Sequence, residues 1–422
     1  MRLWHNLSRM TGYDVVIVGA SFSGLSLALH LPRNLKILVL ETKPLAGSSV
    51  ESTGLITEKT RQEFVPFFDI DKHITNAIKR ICVVAPDFKT SFESTTAEPW
   101  IYQTDTRGLV QALSQKLSDN VELKTGTFFV AAENCKDGYI VSYKNGNGSD
   151  KASGRFLVGA DGGRSKVAEK VGLGRNKKFL FGYEKVIRGR ILLGQKPDET
   201  IYHYWFGDFS LGYGGWMSPS RMQDGDFIRI GLAKKSQDMS EAVKLLDRFI
   251  GRLIDLKQIE AQDAKTDYSF GGMIPIGGVV ARPYGEAALL IGDAAGMCGA
   301  FAADGIKGSL VSAKVAAELI PRYLKGDKTS LSGYHRSIDK RSGLMRYYRR
   351  QLRYRMLWDM MRHNDTFLAM YRIIEAEKDG FLEQFCDSKD KRKSLVLVVL
   401  KVRHLPKLFK YSLLVLRDLI LA

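Results

Sequence analysis

The feature that most constrains this chain is a strand, a glycine turn and a helix close to its start. The apolar run Tyr13 to Val18 leads into the turn Gly19 to Gly24, and a helical pattern continues from Leu25 to Leu31. A second apolar run, Lys36 to Leu40, ends at Glu41. This order predicts a βαβ unit that binds a dinucleotide, because an acidic residue about twenty positions beyond the glycine turn is typical of that fold.

Each position of the turn has a distinct expected role. Gly19 permits the tight turn, the small side chain of Ser21 lets backbone N–H groups approach a pyrophosphate, and Gly24 lets the helix pack close to the strand. Glu41 is expected to accept hydrogen bonds from the ribose hydroxyls. Ser21 stands where the usual motif has its middle glycine, so a strand-to-helix turn of an ordinary α/β domain is the alternative.

Two later segments have the same design of a buried strand followed by glycine and aspartate. The run Phe156 to Gly159 precedes Asp161, and the run Ala287 to Ile291 precedes Asp293. An alanine-rich helical pattern then begins at Asp304-Gly305-Ile306 and continues to about Leu319. Three segments that are distant in sequence therefore fit one ligand.

With these three fingerprints in order, the chain resembles the geranylgeranyl reductase family of FAD-dependent oxidoreductases, which is related to flavin aromatic hydroxylases and halogenases. The resemblance covers roughly residues 13 to 325. It implies FAD as the cofactor and a helix N-terminus at the flavin, where its partial positive charge stabilises the anionic reduced ring. Asp304 is expected to be the N-cap of that helix. The cofactor contacts that the resemblance implies, beyond the residues of the first turn, are Ser52, Thr53, Arg107, Val130, Asp161, Asp293, Gly305 and Ile306.

The segment Gly212 to Pro219 is similar to a substrate-domain motif of the family, with one residue inserted between its aromatics. Tyr213 and Trp216 are therefore expected to line the substrate pocket, and ordinary sheet packing is the alternative. The chain departs from the family at Ser49 to Gly54, where archaeal members carry a Cys-Gly pair. It also has Phe301-Ala302-Ala303 where the family has proline before the last glycine turn.

The cysteines exclude several classes of protein. Cys82, Cys135, Cys298 and Cys386 are too far apart in sequence for a zinc site, a disulfide scaffold or an iron–sulfur cluster. No metal site is expected. Cys298 follows the third fingerprint directly, where a flavin contact and a buried inert thiol are both open.

The net charge of +17 is concentrated late in the 422-residue chain. The basic residues of two predicted helical regions are Lys340, Arg341, Arg346, Arg349, Arg350, Arg353, Arg355 and Arg362 in the first, and Lys391, Arg392, Lys393, Lys401, Arg403, Lys407 and Lys410 in the second. In the first, Leu344, Tyr347, Tyr348, Leu352 and Met356 recur at helical spacing. We expect these helices to lie on an anionic membrane surface, because the apolar runs Leu395 to Leu400 and Leu413 to Leu416 are too short to cross a bilayer.

A solvated helix packed on the domain is the alternative for this region. Nucleic acid is not expected as a partner, since no nucleic-acid-binding motif accompanies the charge. The first residues, Met1 to Gly12, lack the apolar core of a secretory signal, and the expected location is cytoplasmic with peripheral attachment to a membrane.

The predicted fold is α/β, and α+β overall. Residues 13–75, 100–175 and 280–325 are expected to form a discontinuous Rossmann-like FAD-binding domain. Residues 76–99 and 176–279 are expected to form an antiparallel substrate sheet, because runs such as Ile201 to Phe206 and Phe227 to Leu232 are rich in aromatic and β-branched residues. Residues 326–422 are expected to form a basic helical region.

The expected reaction is reduction of carbon–carbon double bonds in an isoprenoid or other apolar lipid, with hydride supplied by flavin N5. An FAD-dependent monooxygenase acting on an apolar or aromatic substrate is the first alternative. The second is a membrane-associated flavoprotein without turnover. The sequence assigns no catalytic residue, and it leaves NAD(P)H and ferredoxin both open as electron donors.

Overall fold

A computed structural model of the chain describes residues 11–205, 212–222, 225–235, 239–382 and 400–421. Its strands are β1 (Thr11–Val18), β2 (Ile37–Leu40), β3 (Leu55–Ile56), β4 (Ile74–Ile78), β5 (Arg80–Val84), β6 (Ser91–Thr95), β7 (Ile101–Thr104), β8 (Val121–Lys124), β9 (Phe128–Cys135), β10 (Gly138–Asn145), β11 (Gly148–Gly159), β12 (Phe179–Ile191), β13 (Thr200–Tyr204), β14 (Gly212–Met222), β15 (Gly225–Lys234), β16 (Ile259–Pro275), β17 (Tyr284–Gly285) and β18 (Ala288–Leu290). Its α-helices are α1 (Phe22–His30), α2 (Glu58–Phe64), α3 (Thr106–Gln115), α4 (Lys166–Lys170), α5 (Met239–Asp255), α6 (Gly305–Leu324), α7 (Tyr334–Ser342), α8 (Leu344–Trp358), α9 (Asn364–Glu375) and α10 (Leu405–Ile420).

The first sheet has the strand order β17-β18-β11-β1-β2-β8, and β9 and β10 extend it from the first half of β11. The pairs β1/β2, β1/β11, β2/β8 and β11/β18 are all parallel. Val15 to Val18 are buried, as expected for a parallel strand covered on both faces. Helices α1 and α6 pack together and share one hydrophobic core with this sheet. The three sequence fingerprints therefore end at one edge of the sheet, at the carboxyl ends of β1, β11 and β18.

The second sheet has the order β16-β12-β15-β14-β13-β5-β6. Helix α5 packs on one of its faces, where Phe249 contacts a cluster that contains Ile228, Ile230 and Leu232. The alternate residues of the same strands face the other way, since side chains alternate along a strand. The sheet is antiparallel, as predicted, at the other five pairs of strands, and β13 pairs with β5 in parallel. A long connection that includes strands β8 to β11 separates these two strands, so a parallel pairing is sterically possible. Strands β3, β7 and β4 form a third, small sheet.

The helices after the third fingerprint pack on the domain to different extents. Helix α6 continues to Leu324, beyond the predicted end near Leu319. Leu344 and Tyr348 of α8 are buried in the main core, so this predicted surface stripe packs largely on the domain, although Met356 is 63% exposed. The runs Lys391 to Lys393 and Leu395 to Val399 lie outside the described residues.

Helix α10 contacts α9 and presents its other side to solvent. Val415 packs against Trp358 and Phe367, and the buried carboxylate of Asp418 accepts hydrogen bonds from Arg362 N and Thr366 Oγ1, each at 2.8 Å. The exposed apolar residues of the side away from Val415 are Leu405, Phe409, Leu413, Leu416 and Ile420, and Leu419 is also exposed. Within the described segments, no helix combines the length and the apolar character needed to span a bilayer.

Candidate functional site: a cavity joining the glycine turn to an aromatic arm

One cavity of about 1550 Å³ lies between the edge of the first sheet, the face of the second sheet that does not carry α5, and helix α8. The structure brings most of the predicted site residues to its wall, which includes Gly19, Ser21, Glu41, Ser52, Thr53, Asp161, Trp216, Asp293, Gly305 and Ile306. Pockets of about 300–1,000 Å³ suffice for a drug-sized ligand. This cavity therefore has room for a dinucleotide and a second molecule.

The glycine turn is too crowded for larger residues at two positions. Gly19 has a φ of 107°, and a Cβ atom there would lie 2.3 Å from the carbonyl oxygen of Ala160. A Cβ atom on Gly24 would lie 1.9 Å from the carbonyl oxygen of Gly19. The start of α1 is thus held directly behind the turn, with its free N–H groups directed at the cavity.

Glu41 lies at the end of β2 and is buried in the cavity wall. Its Oε2 accepts a hydrogen bond from the backbone N–H of Ala20 at 2.7 Å, and its Oε1 accepts one from Lys43 N at 2.9 Å. A carboxylate has about four acceptor positions, so Glu41 can fix the turn and still accept ligand hydroxyl groups.

Asp161 follows β11 and faces the cavity from the neighbouring strand. It accepts hydrogen bonds from Ser165 Oγ at 2.6 Å and from Val167 N at 3.0 Å, which ties it to the start of α4. Burial raises its pKa despite these donors. The carboxylate therefore stabilises the Asp-Gly turn as well as lining the site.

Asp293 carries the least satisfied carboxylate of this edge. Its Oδ1 is buried without a hydrogen-bond partner in the described structure, and burial raises its pKa to about 6. The absence of a side chain at Gly305 keeps the space beside this oxygen open, since a Cβ atom there would lie 2.8 Å from it. The Asn176 amide donates to the backbone carbonyl of Asp293 at 2.8 Å and supports the turn from behind. The site thus presents a buried acceptor that suits a ligand hydroxyl group.

Asp304 occupies the N-cap position of α6, as predicted, but its side chain makes no capping hydrogen bond. Instead its Oδ2 accepts a hydrogen bond from the Tyr347 hydroxyl of α8 at 2.5 Å. Cys298 also lines the cavity, and burial raises the pKa of its thiol well above the usual value. The neutral thiol is the expected form of this side chain.

Several predicted residues lie away from the cavity wall. Gly24 packs behind the turn, and Val130 is largely exposed on β9. Arg107 is in the first turn of α3, as predicted, but its guanidinium lies 5.6 Å from the ring centre of Tyr268 and does not line the cavity. The side chain of Tyr213 lies outside the described part of the structure.

A buried ion pair connects the second sheet to the segment Ser49 to Gly54. Arg229 and Glu184 are each 1% exposed, and Arg229 Nε donates to Glu184 Oε1 at 2.6 Å. Trp216 Nε1 donates to the other oxygen of Glu184 at 2.7 Å, and Arg229 also reaches the carbonyl oxygen of Ser52 at 3.0 Å. Sequence reasoning missed this network, although Arg229 interrupts the otherwise apolar run Phe227 to Leu232 and thereby signals a buried partner.

Beyond Trp216 the cavity continues into an aromatic arm. Trp358 of α8 lies edge-on to Trp205 and Phe301, with ring centres 5.5 Å apart in both pairs. His203 lies opposite Trp216 on the neighbouring strand and also lines the cavity. Burial lowers its pKa to about 4, so the imidazole is neutral at ordinary pH. In the described residues, no cluster of His, Cys, Asp and Glu is suited to hold a metal ion.

Comparison with known proteins identifies the class to which this fold and site belong. Residues 12–341 match the FAD binding domain family, and the chain belongs to this family. It is 25% identical over 341 residues to digeranylgeranylglycerophospholipid reductase 2 of Methanopyrus kandleri, a match that covers 78% of this chain and 82% of the relative.

Solved structures agree on the fold. A geranylgeranyl bacteriochlorophyll reductase-like protein from Thermoplasma acidophilum superposes with a TM-score of 0.77 at 18% identity, covering 95% of this chain and 99% of that one. The p-nitrophenol 4-monooxygenase PnpA of Pseudomonas putida gives a TM-score of 0.67 at 18% identity, covering 92% and 98%. The chain is an FAD-dependent oxidoreductase, and the resemblance to geranylgeranyl reductases that the fingerprints indicated is confirmed.

The residues of the site fit FAD. A Cβ atom at Gly19 or Gly24 would meet a backbone carbonyl oxygen, so the turn can keep its close packing only with glycine at these positions. Glu41 and Asp293 both line the cavity beside this turn, and Asp293 Oδ1 lacks a hydrogen-bond donor in the described structure.

Proposed function

We propose that this enzyme reduces carbon–carbon double bonds of an isoprenoid lipid. The observation that carries the proposal is the continuity of one cavity from the glycine turn to the aromatic arm of Trp205, Phe301 and Trp358. A polyprenyl chain is long and apolar, and such an arm offers it a surface that excludes water. The reductase named among the relatives acts on a lipid of this kind, which supports the same assignment here.

In this proposal, FAD is held by the first glycine turn, Glu41 and the two aspartate turns. The residues assigned to it are Gly19, Ser21, Glu41, Ser52, Thr53, Asp161, Asp293, Gly305 and Ile306. When bound, FAD supplies hydride at its N5. The start of α6, at Gly305, places partial positive charge at this end of the cavity, which favours an anionic reduced ring.

The substrate sheet would orient the alkene. Trp216 lies over Gly231, where a Cβ atom would come within 2.2 Å of its indole ring, and its N–H is fixed on Glu184. The ring therefore has a single position against the cavity, set from behind by a buried ion pair. A rigid wall of this kind holds a substrate near a reactive geometry and excludes water.

We further propose that the enzyme takes its substrate from an anionic membrane surface through α10. Phe409 is 68% exposed on the apolar side of this helix, and Lys407 and Lys410 flank it. Val415, on the opposite side of α10, packs in one cluster with Trp358, which lines the aromatic arm. A helix that lies in the headgroup region would thus bring the arm close to the lipid.

The test is reduction of a polyprenyl substrate under anaerobic conditions. The FAD-loaded protein would be reduced with dithionite, which makes the natural electron donor unnecessary, and incubated with polyprenyl lipids that carry no quinone ring, because dithionite alone reduces a quinone with the same mass gain. We expect a mass gain of two for each double bond reduced. Protein with oxidised FAD serves as the control. No mass gain on any of these substrates, with the flavin fully reduced, would count against the proposal.

A monooxygenase is the second candidate, and the fold shared with p-nitrophenol 4-monooxygenase favours it. The two reactions differ in their need for oxygen. Oxygen uptake coupled to substrate and to NAD(P)H, with product formed only in air, would select the monooxygenase. Product formed without oxygen would select the reductase.

A further inference from the structure

A single row of side chains crosses the second sheet on the face that lines the cavity. In this row each residue stands directly opposite the next one on the neighbouring strand, from β16 through β12, β15, β14 and β13 to β5. We define it as the cross-strand row, and its members in this order are Phe270, Glu184, Gly231, Trp216, His203 and Val83. All of them line the cavity except Gly231, which the indole of Trp216 covers. At the usual spacing of neighbouring strands, the row is about 24 Å long.

The two ends of the cross-strand row differ in their surroundings. The β16 end lies beside the cofactor edge of the first sheet, because a Cβ atom on Gly163 would lie 3.2 Å from the carbonyl oxygen of Met273. At the β5 end, the cavity wall is apolar apart from His203. The apolar residues of this part of the wall are Ile81, Val83, Trp100, Ile101, Ile201 and Trp205. An apolar chain that enters from the cofactor edge can therefore remain out of water as far as β5.

The row of opposed residues continues onto β6, but the cavity does not. Phe92 of β6 stands opposite Val83, is 4% exposed and does not line the cavity. Its ring centre lies 5.6 Å from that of Phe381 and 5.5 Å from that of Tyr371 in α9. Phe381 itself lines the cavity. We define Phe381, with Phe92 behind it, as the end wall.

The backbone beside Phe381 is fixed to the second sheet. Leu382 N donates a hydrogen bond to Ser94 Oγ of β6 at 3.1 Å, and Leu382 is fully buried in the cluster that contains Phe92 and Tyr371. Because neighbouring groups that are held in this way relax only partly, removal of the Phe381 ring should leave space at the end of the cavity. A larger side chain at Val83 should have the opposite effect, since it would fill the cavity just before the end wall.

We propose that Phe381, supported by Phe92, determines the longest polyprenyl chain that the enzyme can enclose. Each isoprene unit that enters the apolar end removes more apolar surface from water, so affinity should rise with chain length until the chain reaches the end wall. A longer chain must then leave a unit in water or fold back. This inference rests on the function proposed above and adds the residue that sets the limit of chain length.

The test is a binding series of polyprenyl alcohols, each one isoprene unit longer than the last: geraniol, farnesol, geranylgeraniol, geranylfarnesol and hexaprenol. Binding is followed by tryptophan fluorescence, since Trp205 and Trp358 line the cavity. The length limit is the longest alcohol for which affinity still rises. All proteins are compared on the same alcohol in the same detergent, so differences in solubility cancel.

Wild type would be compared with F381A, V83F and the matched control F249A. Phe249 is fully buried against the other face of the same sheet and does not line the cavity. In F381A we expect a limit at least one isoprene unit longer, with a Kd at least about 10-fold lower for the first alcohol beyond the wild-type limit. In V83F we expect a limit one unit shorter. F249A should keep the wild-type limit, and thermal unfolding checks that each variant is folded.

The outcomes separate the end wall from the proposed reaction, because fluorescence needs no turnover. If no alcohol is reduced in the anaerobic assay but the limit moves as expected in F381A or V83F, the reaction fails and the end wall stands. The same limit in wild type, F381A and V83F would overturn the end wall. A shift in F249A as large as that in F381A would also overturn it, by showing a general loosening of the sheet. Affinity of wild type that keeps rising through hexaprenol would show an open end, with the same consequence.

Discussion

Replacement of Arg229 by methionine should destabilise the folded protein severely. The substitution keeps most of the side-chain volume but leaves the Glu184 carboxylate buried, with only the Trp216 N–H to compensate its charge. Removal of one partner of a buried ion pair typically costs about 3–5 kcal/mol. Since Arg229 and Glu184 are each 1% exposed, solvent cannot screen the loss. The substitution also frees the Ser52 carbonyl at the cavity wall.

The measurement is urea-induced unfolding followed by circular dichroism. The double variant E184Q/R229M should recover much of the lost stability, because a neutral amide can still accept the hydrogen bond of Trp216 and leaves no buried charge. Arg190→Met is the matched control, since the ion pair of Arg190 with Glu260 is largely exposed, and its effect should stay within about 0.5 kcal/mol. A loss below about 1 kcal/mol in R229M, or a double variant as unstable as the single one, would refute the reasoning.

Two further predictions test the cofactor edge of the sheet. The Gly24→Ala variant should lose about 1–3 kcal/mol of stability and most of its bound FAD, because the added Cβ atom would overlap the Gly19 carbonyl. The control is Gly251→Ala in α5, where the space around the glycine is open. This variant should gain about 0.4–1 kcal/mol of stability. Thermal unfolding and flavin absorbance measure both, and a Gly24→Ala protein that is as yellow and as stable as wild type would contradict the packing argument. In cofactor-free protein, the free energy of unfolding should fall as the pH rises from about 4 to about 6. The reason is that Asp293 keeps its proton in the folded protein over this range, whereas it ionises in the unfolded chain. This difference should lower the free energy of unfolding by about 3 kcal/mol. The Asp293→Asn variant should not lose stability in this way between about pH 4 and about pH 6. If the free energy of unfolding of both proteins depends on pH in the same way, Asp293 is not the group responsible.

The prediction from sequence worked best where local pattern decides structure. The βαβ unit needs only consecutive residues, since apolar runs form the parallel strands and the glycine turn fixes the approach of α1. Glu41 reaches the cavity because it directly follows β2, and the turns of Asp161 and Asp293 follow their own strands in the same way. The parallel strands then align all three ends at one edge.

Side chains whose surroundings come from distant segments could not be placed from sequence in this way. Arg107 begins its helix as predicted, but the packing of α3 directs it to Tyr268 of β16, away from the cavity. Helix α8 looked like a surface helix from its charge, yet Leu344 and Tyr348 belong to the main core and Arg349 and Arg353 face the cavity.

The sequence by itself determined that the chain folds around a dinucleotide and carries a basic helical region, because both follow from spacing along a single segment. Only the tertiary structure decided that Glu184, Arg229 and Ser52 meet, that β13 pairs with β5, and that one cavity joins the glycine turn to α8. The physical reason is that a buried charge or a cavity wall depends on which segments pack together, and such contacts between distant residues leave little periodic signal in the chain.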